Sequence, residues 1–213
     1  MIVYIIMFLI AYLIGSINFS VIISKKVAGF DVREKGSGNA GTTNMLRSVG
    51  KKAAIITLLL DILKGTISVL IAIILGNILK EVNKELLLQI AGIAVVLGHT
   101  FPIFFGFKGG KGVATSLGIV LLTNWQIGLI CLVFAITLIV LSKMVSLGAI
   151  MVAILFPILT VFINSNYTVL SEGKKGIDYL IYAVLMAIIV LFNHRANIKR
   201  ILEGKENKIS FNK

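Results

Sequence analysis

The sequence predicts an all-α integral membrane protein with about seven transmembrane helices, and three observations support this. Hydrophobic residues make up 58% of the 213-residue chain and charged residues only 14%, whereas soluble domains are usually about 45–50% apolar and about 25% charged. The mean hydropathy is +1.01. Long apolar runs recur along the whole chain, with no internal repeat and no low-complexity linker. We therefore expect a single polytopic membrane domain over residues 1–213.

Spanning the hydrocarbon core takes about 20 apolar residues in a helix. Six runs come near this length: residues 2–24, 53–79, 86–106, 126–142, 145–163 and 179–193. A shorter run at 113–123 counts as a short or partly buried seventh span, and six spans is the alternative. The first run has no basic residue before Lys25. We therefore expect an uncleaved helix rather than a signal peptide.

The distribution of Lys and Arg predicts the orientation. With seven spans and the N-terminus outside, the cytoplasmic segments carry 16 of the 21 cations and the outer connections 80–85 and 164–178 carry 4. This asymmetry follows the positive-inside rule and places the C-terminus in the cytoplasm. It also explains the net charge of +12 without a nucleic-acid partner.

The first polar segment reads GSGNAGTTNMLR over residues 36–47. Its three glycines permit positive φ and a close approach of the backbone to a ligand. Arg47 adds a planar guanidinium that binds phosphate through two parallel hydrogen bonds. The alternative is an ordinary polar loop in which Ser37 or Asn39 caps the next helix. The density of polar groups favours a binding segment.

The second polar segment, GHTFPIFFGFKGGKGVAT, covers residues 98–115. Lys108 and Lys111 lie among glycines whose amides form a nest for an anion, and the predicted helix 113–123 begins just beyond. The logic is that of a P-loop, although the GxxxxGK[ST] pattern is absent. A basic stop at the membrane edge would explain the lysines but not the three glycines. We therefore favour a phosphate site.

The third polar segment, NHRANIKRILEGKE at 193–206, follows the last span. Taken alone, it is more simply explained as a basic helix lying on anionic lipid. Asp61 and Lys64 lie three residues apart inside an apolar run. They either satisfy each other on one helix face or form the wall of a site. Ser146 alone is typical of a helix start.

The patterns that the sequence lacks narrow the chemistry further. Neither His99 nor His194 begins an HxxxxD pattern, Cys131 has no flanking histidine and no GxSxG motif occurs. We therefore expect no metal, no cofactor and no base-activated nucleophile. A cationic, glycine-lined pocket at the inner leaflet remains, and it suits ligands that carry phosphate.

The three segments together resemble the motifs of the PlsY family, the bacterial acyl-phosphate-dependent glycerol-3-phosphate acyltransferases. The matching patterns are GSGNAGTTNxxR, GHxFPxFFxFKGGKGVAT and NHRxNIxRxxxGxE, in the right order. The resemblance implies transfer of a fatty acyl group from acyl phosphate to the 1-hydroxyl of glycerol 3-phosphate, giving lysophosphatidate and phosphate. It also implies a multi-pass protein of the bacterial inner membrane with its active site facing the cytoplasm. It implies no oligomeric state.

The resemblance assigns roles to residues of all three segments. Catalytic roles fall on Ser37, Arg47, Lys108 and Asn197. Substrate-binding roles fall on Gly38, Asn39, Gly41, Thr43, Asn44, Gly109, Gly110, Lys111, Gly112, Ser146 and His194. Glu206 is expected to anchor the tail.

Two positions depart from the family pattern, since Thr42 replaces an alanine and Lys205 a threonine. Neither change removes a binding group, and Lys205 affects only the fit of the tail. The rival prediction is a transporter of phosphorylated metabolites, which would carry polar groups at the bilayer midplane and on both faces. Here the polar segments fall on one face and only Asp61 and Lys64 lie deep, which favours an interfacial enzyme.

Overall fold

The computed structural model describes residues 1–163 and 177–209, and every regular element in these residues is helical. The α-helices are α1 Ile2–Gly15, α2 Phe19–Ala28, α3 Thr42–Ser48, α4 Lys51–Ile78, α5 Lys84–Thr100, α6 Val113–Thr123, α7 Trp125–Ser142, α8 Val145–Phe162, α9 Ile177–Asn193 and α10 Arg195–Leu202. Short 3-10 turns at Val32–Glu34 and Ile103–Phe105 complete the set. The predicted all-α class is confirmed.

The predicted spans agree with these helices to within a few residues, apart from the first span and the end of the third. Within the described residues, five helical stretches are long and apolar enough to cross a membrane. The pair α9 and α10, bent by 63°, would be a sixth, and α6 is a shorter apolar helix over the expected residues 113–123. Most of the predicted outer connection 164–178 lies outside the described residues. The number of spans and the side on which each terminus lies remain predictions.

The first span expected over 2–24 is found within the candidate span Ile2–Ala28, but it consists of two helices, because the chain breaks between α1 and α2. Asn18 adopts an extended backbone, and its side chain caps α2 by accepting from the amide of Val21. The break leaves the carbonyls of Gly15 and Ile17 without helical partners, and both accept hydrogen bonds from Lys64 Nζ, at 3.0 and 2.9 Å. A break inside a membrane is tolerated when such groups are satisfied within the protein. No local pattern in the sequence predicts that Lys64 is the partner of these carbonyls.

The chain forms two compact units, Met1–Leu122 and Thr123–Lys213. In the first unit, α1 packs against α5 and α4 against α5. Glycines set the closest approaches: a Cβ at Gly15 would collide with the Val95 carbonyl, and one at Gly98 with the Tyr12 carbonyl. Small residues give membrane helices this close contact. The close packing fixes the end of α5, from which the second polar segment continues.

In the second unit, α8 packs against both α7 and α9. Gly148 permits close contact between α8 and α7, because a Cβ there would meet Ile139 and the Ala135 carbonyl. Most apolar side chains of α7 point outward, and Val133 is 63% exposed. Such a surface is suited to lipid rather than water. The candidate site residues of this unit lie at the start of α8, where Ser146 is found, and in the 193–206 segment that follows α9.

Candidate active site

Asn44 organises the first polar segment from inside. It is buried in the first turn of α3. Its amide nitrogen donates to the carbonyls of Val32, Lys35 and Asn39 at 2.8 to 3.0 Å. Its Oδ1 accepts from the Ser37 amide at 2.9 Å. Because a side-chain amide has two N–H groups and one oxygen, these contacts occupy its hydrogen-bonding capacity.

Two glycines let the segment turn around Asn44. Gly36 and Gly38 have φ of +57° and +71°, in the region that disfavours residues with a Cβ. A Cβ on Gly36 would also collide with Asn44 Oδ1. Ser37 is held between these turns and is exposed, as is Arg47 in the last turn of α3. The segment therefore presents one hydroxyl and one guanidinium outward while its amide side chain points inward.

Residues 106–112 form a loop, called here the Lys108 loop, that folds back onto the end of α5. The amides of Gly109 and Gly110 donate to the carbonyls of Thr100 and His99, at 3.0 and 3.1 Å. A side chain at either glycine would collide with this helix end. The two amides are engaged inside the protein, so an anion at this loop would be bound through its other donors. The Lys108 side chain is exposed.

The first and second segments meet in the structure. A Cβ at Gly110 would lie 2.8 Å from the Ala40 carbonyl. Arg33 adds a second connection, because its Nη1 donates to the carbonyls of Phe105 and Lys108 at 2.7 and 3.1 Å. Residues far apart in the sequence thus place the Lys108 loop beside the 36–47 segment.

Asp31 fixes the guanidinium of Arg33. Arg33 Nε donates to Oδ1 at 3.0 Å and Nη2 to Oδ2 at 2.7 Å. Hydrogen bonds from Arg33 lower the pKa of Asp31 to about 2, with Lys25 adding a smaller effect from 3.6 Å. The carboxylate therefore stays ionised in any physiological medium. The sequence did not predict this pair, because neither Asp31 nor Arg33 belongs to a recognisable motif. The Phe105 and Lys108 carbonyls that Arg33 binds lie more than 70 positions away.

The third segment folds around Glu206 in the second unit. Glu206 Oε1 accepts from Asn197 Nδ2 at 2.7 Å and from Ser146 Oγ at 3.0 Å, and Oε2 accepts from Arg200 Nε at 2.9 Å. Burial alone would raise the pKa of Glu206, but these three donors outweigh it and hold the pKa below its ordinary value. The tail is also tied at Ile209, whose amide donates to the Lys143 carbonyl at 2.8 Å.

His194 lies at the bend between α9 and α10 and is buried. Its Nδ1 is 2.8 Å from the Val190 carbonyl. Because a carbonyl only accepts, the ring carries its proton on Nδ1, which makes Nε2 an acceptor when the ring is neutral. His194 therefore offers a ring nitrogen at this bend, while the predicted residues Ser146 and Asn197 both donate to the Glu206 carboxylate.

The predicted pair of Asp61 and Lys64 forms within α4, with Lys64 Nζ 3.0 Å from Asp61 Oδ1. His99 Nδ1 also lies 3.5 Å from Asp61 Oδ1. The sequence did not predict this contact, because the two residues are far apart along the chain and form no known motif. Across the described parts of the chain, residues 1–163 and 177–209, no group of three His, Cys, Asp or Glu side chains is arranged to hold a metal ion.

Comparison with known proteins now bears on this geometry. The profile of a family described as Glycerol-3-phosphate acyltransferase matches residues 5–204. The chain belongs to this family. A glycerol-3-phosphate acyltransferase of Clostridioides difficile (strain 630) is 44% identical over 206 residues, 97% of this chain and 95% of the relative. One from Nostoc sp. (strain PCC 7120) is 41% identical, over 94% of this chain and 89% of the relative.

The fold also matches solved structures of the family. The crystal structure of PlsY, described as an integral membrane glycerol 3-phosphate acyltransferase, was solved in a glycerol 3-phosphate form. It superposes with a TM-score of 0.81 at 36% identity, covering 97% of this chain and 96% of PlsY. Its lysophosphatidic acid form gives a TM-score of 0.79 at 33% identity, covering 97% and 95%. The resemblance seen in the three motifs is confirmed, and the chain is an integral membrane acyltransferase.

Proposed function

We propose that this protein transfers a fatty acyl group from an acyl phosphate to the 1-hydroxyl of glycerol 3-phosphate. The hydroxyl oxygen forms an ester bond to the acyl carbon while the bond between that carbon and the phosphate oxygen breaks. The products are lysophosphatidate and inorganic phosphate. This would be the first acylation of phospholipid synthesis.

The likeness to PlsY is the observation that carries the proposal. PlsY was solved in a glycerol 3-phosphate form and a lysophosphatidic acid form, and the likeness covers 97% of this chain in both cases. Those ligands are the acceptor and the product of the reaction proposed here. The first two polar segments lie within residues 5–204, which the family profile matches, and so does the third segment up to Gly204.

The choice of donor follows from the kind of groups that the polar segments contain. An acyl phosphate is a mixed anhydride whose leaving group is already good, so it needs orientation and charge neutralisation more than an enzyme nucleophile. Both substrates carry phosphate, and the exposed cations Arg47 and Lys108 are groups that bind phosphate well. We propose that the hydroxyl proton passes to a substrate or phosphate oxygen.

The contacts refine the proposed role of each residue. We assign phosphate binding and orientation to Ser37 and Arg47, which are exposed, and charge neutralisation on the departing phosphate to Lys108. Asn44, whose side chain is committed to the backbone around it, shapes the segment rather than contacting the ligand. Gly109 and Gly110 act by letting the loop close onto α5.

The remaining predicted residues keep their proposed roles within their own units. In the second unit, we propose substrate binding for Ser146 and His194 and a catalytic role for Asn197, and Glu206 orders Ser146 and Asn197. The other members line the phosphates: Gly38, Asn39, Gly41, Thr43, Lys111 and Gly112. From the 16 to 4 split of cations, we propose that this site faces the cytoplasm from the inner membrane of a bacterium.

The test is product formation by detergent-purified protein supplied with glycerol 3-phosphate and either palmitoyl phosphate or palmitoyl-CoA. We expect lysophosphatidate only with palmitoyl phosphate. Arg47→Gln should abolish it. Lys26→Gln is the control, because Lys26 is also an exposed cation but lies outside the three polar segments. Lysophosphatidate from palmitoyl-CoA would refute the donor assignment. Inactivity with both donors, combined with glycerol 3-phosphate uptake into protein-loaded vesicles, would support a transporter instead.

A further inference from the structure

A buried charge network lies beneath the Lys108 loop and is not used by the proposed reaction. Asp61 and Lys64 are 2% and 3% exposed. Lys64 contacts Asp61 and donates to the Gly15 and Ile17 carbonyls at the break in the first span. Lys64 thus combines two hydrogen bonds to backbone carbonyls with an ion pair to Asp61. Ionisable groups at this depth in a membrane protein are costly and are usually paired or functional.

His99 connects this network to the loop. It lies in the last turn of α5 and is 6% exposed. One ring nitrogen, Nδ1, is 3.5 Å from Asp61 Oδ1. The other, Nε2, faces Gly110 so closely that a Cβ there would collide with it. The His99 carbonyl accepts from the Gly110 amide at 3.1 Å. Both the ring and the backbone of His99 thus contact the residue two positions after Lys108.

We propose that His99 is a positioning residue for the Lys108 loop. Lys64 holds Asp61 in place, Asp61 orients the imidazole, and the ring fixes the position of Gly110 and so the direction in which Lys108 points. The argument rests on the proposed function, in which Lys108 binds a substrate phosphate. A simple ion pair would need only Asp61 and Lys64. The additional contact with His99, directed at a glycine that leaves room for the ring, indicates a function at the loop.

Steady-state kinetics of His99→Ala and His99→Asn tests the proposal. Asn keeps an N–H near the position of Nδ1 but cannot fill the space below Gly110. We expect both variants to raise the KM of the substrate whose phosphate the loop binds, about tenfold to a hundredfold, the scale of a misplaced positioning group. The KM of the second substrate should stay within a factor of about two, and Asn should retain more activity than Ala.

Thr57→Ala is the matched control. Thr57 is also buried in the first unit, but its hydroxyl donates within α4 to the Ala53 carbonyl. A purely structural role for His99 would reduce the folded fraction and hence the apparent kcat, leaving both KM values unchanged. That result would overturn the proposal, as would wild-type kinetics in both His99 variants.

A second variant and a second readout cover loss of folding. Asp61→Asn with Lys64→Met removes both charges together and avoids an unpaired buried ion. We expect this double variant to show the same selective rise in KM, and unchanged KM values in folded protein would overturn the proposal. Trypsin cleavage after Lys108 should be faster in His99→Ala than in wild type. This readout needs no activity, so failure of the proposed reaction is distinguishable from failure of the positioning role.

Discussion

Removing the Arg33 guanidinium tests how the Lys108 loop is held. In Arg33→Met, the Phe105 and Lys108 carbonyls lose their donor and Asp31 loses its bidentate partner. A hydrogen bond from a charged donor contributes about 1.5–3 kcal/mol. Two such bonds at the lower value give about 3 kcal/mol for placing the loop, which is about a hundredfold in population.

Other contacts limit the effect on activity. The amides of Gly109 and Gly110 still donate to the end of α5, so the loop is loosened rather than released. We expect kcat/KM to fall between about tenfold and a hundredfold. Stability should fall by about 2–4 kcal/mol, because Asp31 is nearly buried and keeps only Lys25, at 3.6 Å, as a cationic partner.

Kinetics with both substrates and thermal unfolding in detergent measure these effects. Arg33→Lys keeps the charge but loses the planar fork, and should fall between wild type and Arg33→Met. The double variant Asp31→Asn with Arg33→Met separates the cost of an unpaired buried charge from the cost of the lost loop contacts. It no longer contains the buried charge, but it still lacks the hydrogen bonds to the Phe105 and Lys108 carbonyls. Its stability should recover while its activity stays low. Wild-type kinetics in Arg33→Met would refute the claim that this guanidinium positions the loop.

Four further predictions concern single residues. Asn44→Asp should abolish activity and lower stability more than Asn44→Ala in thermal unfolding, because a carboxylate cannot donate to the three surrounding carbonyls and repels them. Gly110→Ala should reduce turnover at least about tenfold, since its methyl group collides with His99; unchanged kcat/KM would contradict the described loop. Arg47→Lys should impair turnover almost as much as Arg47→Gln because phosphate binding uses the planar fork, and near-normal turnover would contradict that role. The pKa values of Asp31 and Glu206 both lie below their ordinary values, that of Asp31 at about 2. Ionisation of the two groups therefore stabilises the fold above their ordinary pKa values, and this stability is lost as the pH falls through the lowered ones. Glu206→Gln should therefore flatten the dependence of unfolding temperature on pH, and an unchanged slope would contradict it.

Helices of this protein were predictable because hydrocarbon imposes a strong rule on sequence. A span must be apolar for about 20 residues, and backbone groups must be satisfied within the segment. The short helix 113–123 was also located, since the glycine-rich loop precedes it and Asn124 caps the next helix. The break at 16–18 was not predictable. Its carbonyls are satisfied by Lys64, which is nearly 50 residues away.

The candidate site was predictable in composition but not in the direction of its side chains. Ser37, Asn44 and Arg47 all looked like ligand-binding groups, and only the fold shows that Asn44 points inward while the other two are exposed. The contacts of Arg33 with the Lys108 loop and of His99 with Asp61 depend on tertiary structure. A single sequence contains no local pattern for either contact.

The most direct test of the central claim is the stoichiometry of the reaction in purified protein. Palmitoyl phosphate and glycerol 3-phosphate would be supplied together and separately, and inorganic phosphate and lysophosphatidate measured in the same samples. We predict one phosphate released for each lysophosphatidate formed, with both products dependent on both substrates. Phosphate release that does not depend on glycerol 3-phosphate, or lysophosphatidate formed without phosphate, would contradict the account.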